Sequence, residues 1–577
     1  MELKNYQKAV IRDLERYLEI LMQTKNIETA YTRLWQEKDV KVGFGGMPKY
    51  QNLLPGVPNV CLKVPTGGGK TFLAANAIEP IFSALGVVKR RAVVWLVPSD
   101  AILTQTLAAL RDPAHPYRQK IDVAFGSRVE VYTKEQLLMG QHFNISAVNE
   151  QLSIMVLSYD SFRGKKERLK AKQENSSLVA LANALGEPDM PLEDTDPTAL
   201  MQVINQLHPL VIVDESHHAR SNPSKQMLQN FNPCFVLDLT ATPKKESNII
   251  SYVDAVQLKN EHMVKLPVIV YNRDSQSEVL IDAIDLRNKL EEIASAEYAK
   301  TGKYIRPIAL FQAQPKGKED ATTFEKLRDK LVDKGIPAEQ IAIRTADVNE
   351  LKNTDLMSPS CPIRYIITVN ALKEGWDCPF AYILASLANK TSKVDVEQIL
   401  GRILRQPYAE KNEQNLLNLA YVLTSSRDFH YTLESVVRGL NEAGFTRKDY
   451  RVGSAAPISD ISMPGYEEMS LDLESESVET VSSDDSSEIT EADNFSDIDS
   501  RQVQVGLQSS VNDSSEDSPT LQDMTSQASE QAEQYESELK ASEESSLEGG
   551  ELGNMLHQYS IQTNWQDEIK LLTLPQF

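Results

Sequence analysis

Short apolar runs that recur in two series constrain the fold of this 577-residue chain more than any other feature. The first series comprises VCLKV, AVVWLVPS, IMVLSY, LVIVDES and CFVLDLTAT, and the second comprises RPIALFQAQ, QIAIRTAD, YIITVNAL, AYILASL and LAYVLTSS. Segments with helical spacing, such as TTFEKLRDKLVDKG, lie between the runs. Continuously apolar strands are buried on both faces, which is typical of parallel sheets covered by helices. The two series therefore predict two α/β domains in tandem.

The domain boundaries follow from where each series begins and ends. Residues 1–265 form the first predicted domain and residues 266–452 the second, with the polar connector VQLKNEHMVKLP between the two series. Residues 163–208 are polar and too numerous for an ordinary connection within a sheet, so we predict a helical insertion in the first domain.

The C-terminal part of the chain differs in composition from these two domains. Residues 453–550 are rich in Ser, Asp and Glu and have few aromatic residues, so they cannot bury enough apolar area to offset their conformational entropy. We predict an acidic disordered segment there. Residues 551–577 end in an apolar alternation that predicts a short strand, either from a truncated further domain or docked back on the preceding domains.

The charge of the chain is concentrated in this C-terminal segment. The net charge is −22, but residues 467–550 hold 24 acidic and only two basic residues, and the remainder has 58 of each. A neutral body can still gather Lys and Arg in one groove, so the acidic average does not exclude a nucleic-acid partner. The acidic segment itself resembles a polyanion and could occupy a nucleic-acid groove, although a solubilising tail is the simpler interpretation.

Cysteine usage and hydropathy bear on the compartment. The four cysteines form no CxxC pair, which argues against a zinc site and against a disulfide framework. No apolar stretch is long enough to cross a membrane, and the N-terminus is charged from its second residue. The sequence predicts a cytoplasmic protein without a membrane partner.

The stretch VPTGGGKT, residues 64–71, is the first candidate site. Glycines can point successive backbone N–H groups at phosphate oxygens, while Lys70 adds a point charge and Thr71 a hydroxyl for Mg²⁺ at the start of a helix. The leading glycine of the usual phosphate-loop pattern is replaced here, and a simple glycine-rich turn is the alternative. The predicted nucleotide-binding residues are Thr66, Gly67, Gly68, Gly69, Lys70 and Thr71.

Two carboxylates end the apolar run LVIVDESHH. Ligands of parallel sheets bind at the carboxyl ends of the strands, so Asp214 is a candidate Mg²⁺ ligand and Glu215 a candidate for polarising the attacking water. An acidic strand end that caps the next helix is the alternative interpretation.

Two further motifs carry hydroxyl and guanidinium groups. In LDLTATP, Thr240 and Thr242 follow a strand and could hydrogen-bond His217. In QILGRILRQP, the spacing of Gln398, Arg402 and Arg405 aligns them on one helical face suited to phosphate oxygens, unless the arginines are simply solvated.

The order GGGKT, DESHH, TAT, QxxGRxxR resembles that of superfamily 2 helicases and translocases of the DEAD/DEAH type, over about residues 3–427. The wording ALKEGWD followed by EQILGRILRQP is most similar to the restriction (Res) subunit of type III restriction enzymes and related defence helicases. The resemblance implies two RecA-like domains that bind ATP and Mg²⁺ between them, with Arg402 and Arg405 acting as arginine fingers.

Weaker motifs of the same family assign further residues by resemblance. Gln7 is implied to read adenine, and Gly375 and Asp377 to serve the nucleotide site from the second domain. The implied nucleic-acid contacts are Pro98, Ser99, Ser158, Tyr159 and Thr368.

The resemblance also implies the partners. The expected activity is ATP-driven movement along nucleic acid, with double-stranded DNA as the expected substrate and a methyltransferase or recognition subunit, or another defence protein, as a possible partner. Res subunits carry a nuclease domain, whereas residues 453–577 frame no acidic pair followed by lysine, so cleavage by this chain alone is not expected. The alternative is a catalytically weak ATP-binding scaffold that recruits partners through its acidic segment.

Overall fold

The computed structural model describes most of the two predicted domains and one C-terminal helix. The described residues are 1–86, 90–162, 170–214, 225–313, 324–345, 348–352, 354–369, 378–387, 403–425, 440–441, 444–445, 449–453 and 519–544. Every structural statement below refers to these residues.

The first domain is built on a seven-stranded parallel sheet with the order β3-β4-β2-β5-β6-β1-β7. Its strands are β1 (Asn59–Lys63), β2 (Arg91–Val97), β3 (Val129–Tyr132), β4 (Leu152–Ser158), β5 (Leu210–Asp214), β6 (Phe235–Thr240) and β7 (Ile249–Tyr252).

The second domain repeats this topology. Its sheet is again parallel and has the order β10-β11-β9-β12-β13-β8-β14, which is the first order with seven added to every strand number. The predicted tandem RecA-like fold is therefore confirmed. The strands are β8 (Val268–Asn272), β9 (Ile308–Gln312), β10 (Ile341–Arg344), β11 (Tyr365–Thr368), β12 (Ala381–Ser386), β13 (Ala420–Thr424) and β14 (Tyr450–Val452).

Helices cover both sheets. In the first domain they are α1 (Asn5–Thr24), α2 (Ile27–Gln36), α3 (Lys70–Leu85), α4 (Asp100–Arg111), α5 (Pro116–Phe125), α6 (Lys134–Leu138), α7 (Ile145–Glu150), α8 (Val179–Leu185), α9 (Leu200–Asn205), α10 (Lys225–Asn230) and α11 (Ala255–Asn260). In the second domain and beyond they are α12 (Gln276–Thr301), α13 (Phe324–Asp333) and α14 (Pro519–Glu544). Short 3-10 turns lie at Tyr159–Phe162, Ala338–Gln340, Pro407–Ala409 and Asn415–Asn418.

Burial explains why the strand sequences are continuously apolar. Every residue of β4, β5, β9, β12 and β13 is buried. A parallel strand with helices on both faces has no solvent side, so apolar residues occupy consecutive positions. The core therefore lies on both faces of each sheet. The polar side chains of the candidate site lie at the carboxyl ends of the strands.

The polar region between β4 and β5 contains two short helices in its described part, residues 170–209. Leu181 in α8 and Leu200, Val203 and Ile204 in α9 are buried in an apolar cluster with residues of the first sheet. These helices therefore pack on one face of the sheet of the first domain.

The prediction that residues 453–550 are disordered is wrong for residues 519–544. These residues form α14, which packs against the second domain. The composition argument failed because an apolar stripe on one helical face needs few residues, and averaging over an acidic segment hides it. The predicted strand in residues 551–577 lies outside the described residues.

Among the helices that the structure describes, none combines the length and the apolar character needed to span a bilayer.

Candidate nucleotide site at the seam of the two domains

The glycine-rich loop after β1 has a backbone that only glycine adopts easily. Gly67 and Gly69 have φ values of +86° and +73°, and Gly69 stands immediately before the first residue of α3. At Gly68, whose N–H donates to the carbonyl of Pro65 at 3.0 Å, an added Cβ would lie 2.5 Å from Cγ1 of Val64. All three glycines are therefore required by this loop, which begins a helix as a phosphate-binding loop does.

The loop is held from behind by the start of α1. The Tyr6 hydroxyl donates to the Gly68 carbonyl at 2.8 Å, and the Gln7 side-chain amide donates to the same oxygen at 3.2 Å. Burial, with Glu261 nearby, raises the pKa of Tyr6 well above its usual value, so the hydroxyl keeps its proton and stays a donor.

Gln7 supports the phosphate loop. Its side chain is fully buried, and its carbonyl oxygen accepts from the backbone N–H of Lys4 at 3.0 Å while its amide group donates to the Gly68 carbonyl. Both ends of the amide are therefore bonded inside the protein, and the expected role of Gln7 in reading adenine stays a prediction.

Lys70, Thr71 and Asp214 meet beside the loop. Lys70 begins α3, is 5% exposed, and donates from Nζ to the Val64 carbonyl at 3.3 Å. The Thr71 hydroxyl donates to Oδ2 of Asp214 at 3.3 Å, and Asp214 is 2% exposed at the end of β5. A hydroxyl and a carboxylate at this separation are hard oxygen donors of the kind that Mg²⁺ takes, so the residues fit that ion.

Strand register explains why residues so distant in the chain come together. β6 lies between β1 and β5, with Lys63 beside Thr240 and Asp214 beside Leu239. The carboxyl ends of the three strands therefore share one edge of the sheet, as expected for parallel strands.

The threonines after β6 form a tight turn against the loop. The Thr240 carbonyl accepts from the N–H of Val64 at 2.9 Å, and its hydroxyl accepts from the N–H of Thr242 at 3.3 Å. Thr240 thus links the strand end to the start of the phosphate loop. His217, their expected partner, lies outside the described residues.

The second domain contacts the phosphate loop through a short ribbon. Lys265 N–H donates to the Leu404 carbonyl at 2.6 Å and Gln406 N–H donates to the Met263 carbonyl at 3.0 Å, so the segment joining the domains pairs antiparallel with residues 404–406. We call residues 263–265 and 404–406 the hinge ribbon.

Side chains of the hinge ribbon lie against the phosphate loop. A Cβ placed on Gly67 would be 3.2 Å from Cγ1 of Val264 and 3.6 Å from Cγ of Arg405. A second segment also lies close to the phosphate loop. A Cβ placed on Gly444 would be 3.0 Å from the Cα of Pro65. The arginine of one domain and the phosphate loop of the other therefore share a seam.

Six of the expected site residues lie outside the described part of the chain: Glu215, His217, Gly375, Asp377, Gln398 and Arg402.

Most of the expected nucleic-acid contacts are buried in this structure. Pro98 and Ser158 are buried, and the Ser158 hydroxyl pairs with that of Ser161 at 3.1 Å. Ser99 is half-buried and caps α4 through the N–H of Ile102. It alone of the five retains exposed surface.

Tyr159 and Thr368 are also buried in this structure. Tyr159 is 1% exposed and its hydroxyl donates to the Asp214 carbonyl at 2.8 Å, so it positions the carboxylate strand end, and its contact with nucleic acid stays a prediction. Thr368 is fully buried at the end of β11, and its hydroxyl has no hydrogen-bond partner among the described residues.

Val264 and Gly444 lie beside the phosphate loop, although the sequence did not single them out. The docking of α14 on the second domain was also not predicted. Gly444 and Val264 carry no motif of their own. The helix had a readable signal, an apolar residue at every third or fourth position from Leu521 to Leu539 within an acidic segment.

Comparison with known proteins agrees with the motif order. Residues 1–245 match the family model described as type III restriction enzyme, res subunit. A curated viral protein, "Putative helicase 22" of the Sulfolobus islandicus filamentous virus, is 21% identical over 385 residues, which are 60% of this chain and 58% of that protein. The chain therefore spans less than two thirds of that relative.

Solved structures that the chain resembles include two proteins bound to DNA. The ATP-dependent Type ISP restriction-modification enzyme LlaBIII bound to DNA has a TM-score of 0.42 and 15% identity, covering 80% of this chain and 32% of that one. The Mycobacterium smegmatis helicase Lhr bound to ssDNA and AMP-PNP has a TM-score of 0.37 and 13% identity, covering 67% and 46%. The fold is assigned here from the strand order of the two sheets. The family match over residues 1–245 agrees with the resemblance of the first domain to Res subunits.

Proposed function

We propose, from the match of residues 1–245 to the Res-subunit family, that this chain is an ATP-driven motor that moves along nucleic acid, with double-stranded DNA as its substrate. The observation that carries the proposal is the seam. The phosphate loop of one α/β domain lies against Arg405 of the other, and this is the arrangement in which closing two domains completes a hydrolysis site.

The residues of the first domain divide the work of holding the nucleotide. Lys70 would neutralise the outer phosphates, and the backbone N–H groups of Gly67 and Gly69 would bind their oxygens, while the Gly68 N–H holds the turn through the Pro65 carbonyl. Thr71 and Asp214 would hold Mg²⁺, which neutralises charge on the phosphates when it is bound. Glu215, the next residue along the chain, is proposed to orient the attacking water.

The second domain contributes the charge that the first domain lacks. Arg405, together with Arg402 from the same motif, is proposed to stabilise the negative charge that develops on the transferred phosphoryl group. Because the hinge ribbon carries Arg405 and also joins the two domains, a change in their angle moves the guanidinium relative to the loop. Hydrolysis and movement along the nucleic acid are coupled in this way.

The test is ATP turnover by the purified chain alone, with duplex DNA, with single-stranded DNA and with RNA. We expect stimulation by DNA, and we expect Lys70→Ala and Glu215→Gln to abolish it. Lys120→Ala, an exposed lysine on α5, is the matched control. The same reactions, analysed for DNA cleavage, test the expectation that the chain does not cut by itself.

ATP binding without turnover on any nucleic acid would refute the motor and favour the scaffold alternative. If the rate of ATP hydrolysis is the same with and without each nucleic acid, the chain is an ATPase, and the proposed coupling of hydrolysis to nucleic acid is refuted.

A further inference from the structure

One face of α14 is apolar although the helix is acidic. Its buried and half-buried residues recur every third or fourth position, which places them on a single stripe: Leu521, Met524, Ala528, Ala532, Tyr535 and Leu539. Acidic residues such as Glu530 and Glu533 occupy the exposed faces. The stripe is therefore the docking face of the helix.

Specific polar contacts attach this face to the second domain. The Tyr271 hydroxyl donates to the Met524 carbonyl at 2.7 Å, and the Tyr535 hydroxyl donates to Oδ1 of Asp449 at 2.6 Å. The Arg451 guanidinium lies 5.1 Å from the centre of the Tyr535 ring. Because the Tyr535 ring is 1% exposed, these contacts fix the register of the helix on its seat.

The C-terminal half of α14 reaches the junction of the two domains. Glu536 and Leu539 line a cavity of about 210 Å³ whose other lining residues include Lys259, His262 and Lys411. Glu536 pairs with Lys411 at 3.5 Å and is the only acidic residue among those lining the cavity, within the described part of the chain. The helix thus supplies a carboxylate to a basic pocket behind the hinge ribbon.

The cavity and the phosphate loop lie on either side of the hinge ribbon. Val264 and Gln406 belong to the ribbon and also line the cavity, while Val264 faces Gly67 as described above. Gly444 also approaches the phosphate loop, and Asp449, five residues further along the chain, accepts the Tyr535 hydrogen bond. Within the described part of the chain, α14 therefore lines a cavity with the hinge ribbon and is hydrogen-bonded close in sequence to the second segment that approaches the phosphate loop.

We propose that α14 is a reversible intramolecular regulator of the seam, a role that rests on the proposed motor function. Docked, it restrains the hinge ribbon and residues 449–453 and slows the domain movement that hydrolysis requires. Released, it lets both segments move, and ATP turnover rises. The restraint is an equilibrium between docked and released helix, so its effect is bounded by the free energy of docking.

The test compares two charge reversals on the same helix in the full chain. Glu536→Lys puts a cation into the pocket of Lys259, His262 and Lys411, whereas Glu533→Lys changes the net charge equally on the exposed face. Amide hydrogen exchange in residues 519–544 measures whether α14 is docked. ATPase assays measure how far the docked helix slows hydrolysis. For Glu536→Lys we expect faster exchange in residues 519–544 and a rise in turnover of about fivefold or more, the lower end of common allosteric couplings.

Glu533→Lys should match wild type in both measurements. Ala528→Glu, which buries a carboxylate in the fully buried centre of the stripe, should release the helix by a route independent of the pocket and raise turnover equally. Released helix with unchanged turnover would overturn the regulatory role, and unchanged exchange in both variants would overturn docking through this face.

Failure of the motor function gives a different pattern. If wild type shows no ATP turnover, the restraint is read from exchange at the hinge-ribbon amides of Lys265 and Gln406, which should accelerate in Glu536→Lys. No acceleration there overturns the restraint irrespective of the ATPase result.

Discussion

Replacing Arg405 by alanine gives the sharpest test of the seam. The side chain is half-buried, its backbone belongs to the hinge ribbon, and its Cγ lies 3.6 Å from where a Cβ on Gly67 would be. The atoms beyond Cγ carry the guanidinium group. Truncation to alanine removes that group and leaves the ribbon's backbone hydrogen bonds in place, so the fold should survive.

The expected loss follows from the role of the guanidinium. An arginine that stabilises the transition state of phosphoryl transfer is worth about 10³ to 10⁵ in rate, which corresponds to about 4 to 7 kcal/mol. Truncating a half-buried side chain that leaves the backbone pairing in place typically costs about 1 kcal/mol of folding stability. The kinetic effect should therefore exceed the stability effect by several kcal/mol.

The assay is steady-state ATP turnover with saturating DNA, beside ATP affinity and urea denaturation of the same proteins. Arg405→Ala should lose kcat with nearly unchanged ATP affinity, and Arg405→Lys should recover part of the rate because it restores charge without the planar, bidentate group. Normal kcat in the alanine variant, or a parallel loss of stability and rate, would refute the assignment of this arginine to the hydrolysis site.

Three other changes test the supports of the site. Gly69→Ala should weaken ATP binding and lower the melting temperature, because its Cβ would lie 2.6 Å from Nε2 of Gln7 at a φ of +73°; Gly56→Ala, at a φ of +80° with no atom within 4 Å, is the control for backbone strain alone. Tyr159→Phe removes the hydrogen bond to the end of β5 and should cost about 1 to 2 kcal/mol by urea denaturation and raise the Mg²⁺ concentration needed for half-maximal turnover. Burial and a neighbouring carboxylate raise the pKa of Asp285 to about 7, so the stability of the wild-type protein should fall as pH rises from about 4 to about 7. Asp285→Asn should remove this pH dependence and stabilise the chain at pH 8 by up to about 4 kcal/mol. An unchanged pH profile of stability in the variant would contradict this assignment.

The class of fold was predictable because it is expressed locally. Ten apolar runs were predicted as strands, and each coincides with a strand of one of the two sheets. The strands that were not predicted are β3, β7, β8 and β14. Three of them are short and lie at or next to a sheet edge, where apolar runs are weakest, while β8 follows a proline in the connector between the two series.

The placement of the phosphate-loop residues was predictable for a related reason. Lys70 and Thr71 follow three glycines at the start of a helix, and this spacing is a property of the chain itself. Asp214 was recognised from its place at the end of an apolar run, because the ends of parallel strands share one sheet edge.

What a side chain faces was not predictable from its motif. Gln7 binds the phosphate loop, and Tyr159 and Thr368 are buried, although their motifs suggested contact with adenine and nucleic acid. Burial depends on which loops cover a strand end, and this is decided by packing between distant segments.

The sequence by itself determined the parallel two-domain architecture and the order of the chemical motifs, because periodicity and spacing are local. Only the tertiary structure decided that the hinge pairs with the segment carrying Arg405, and that α14 docks beside it. Both contacts depend on complementary surfaces that folding brings together from remote parts of the chain. The sequence of an apolar stripe or of a single arginine does not reveal which surface it will contact, because that surface forms only in the folded protein.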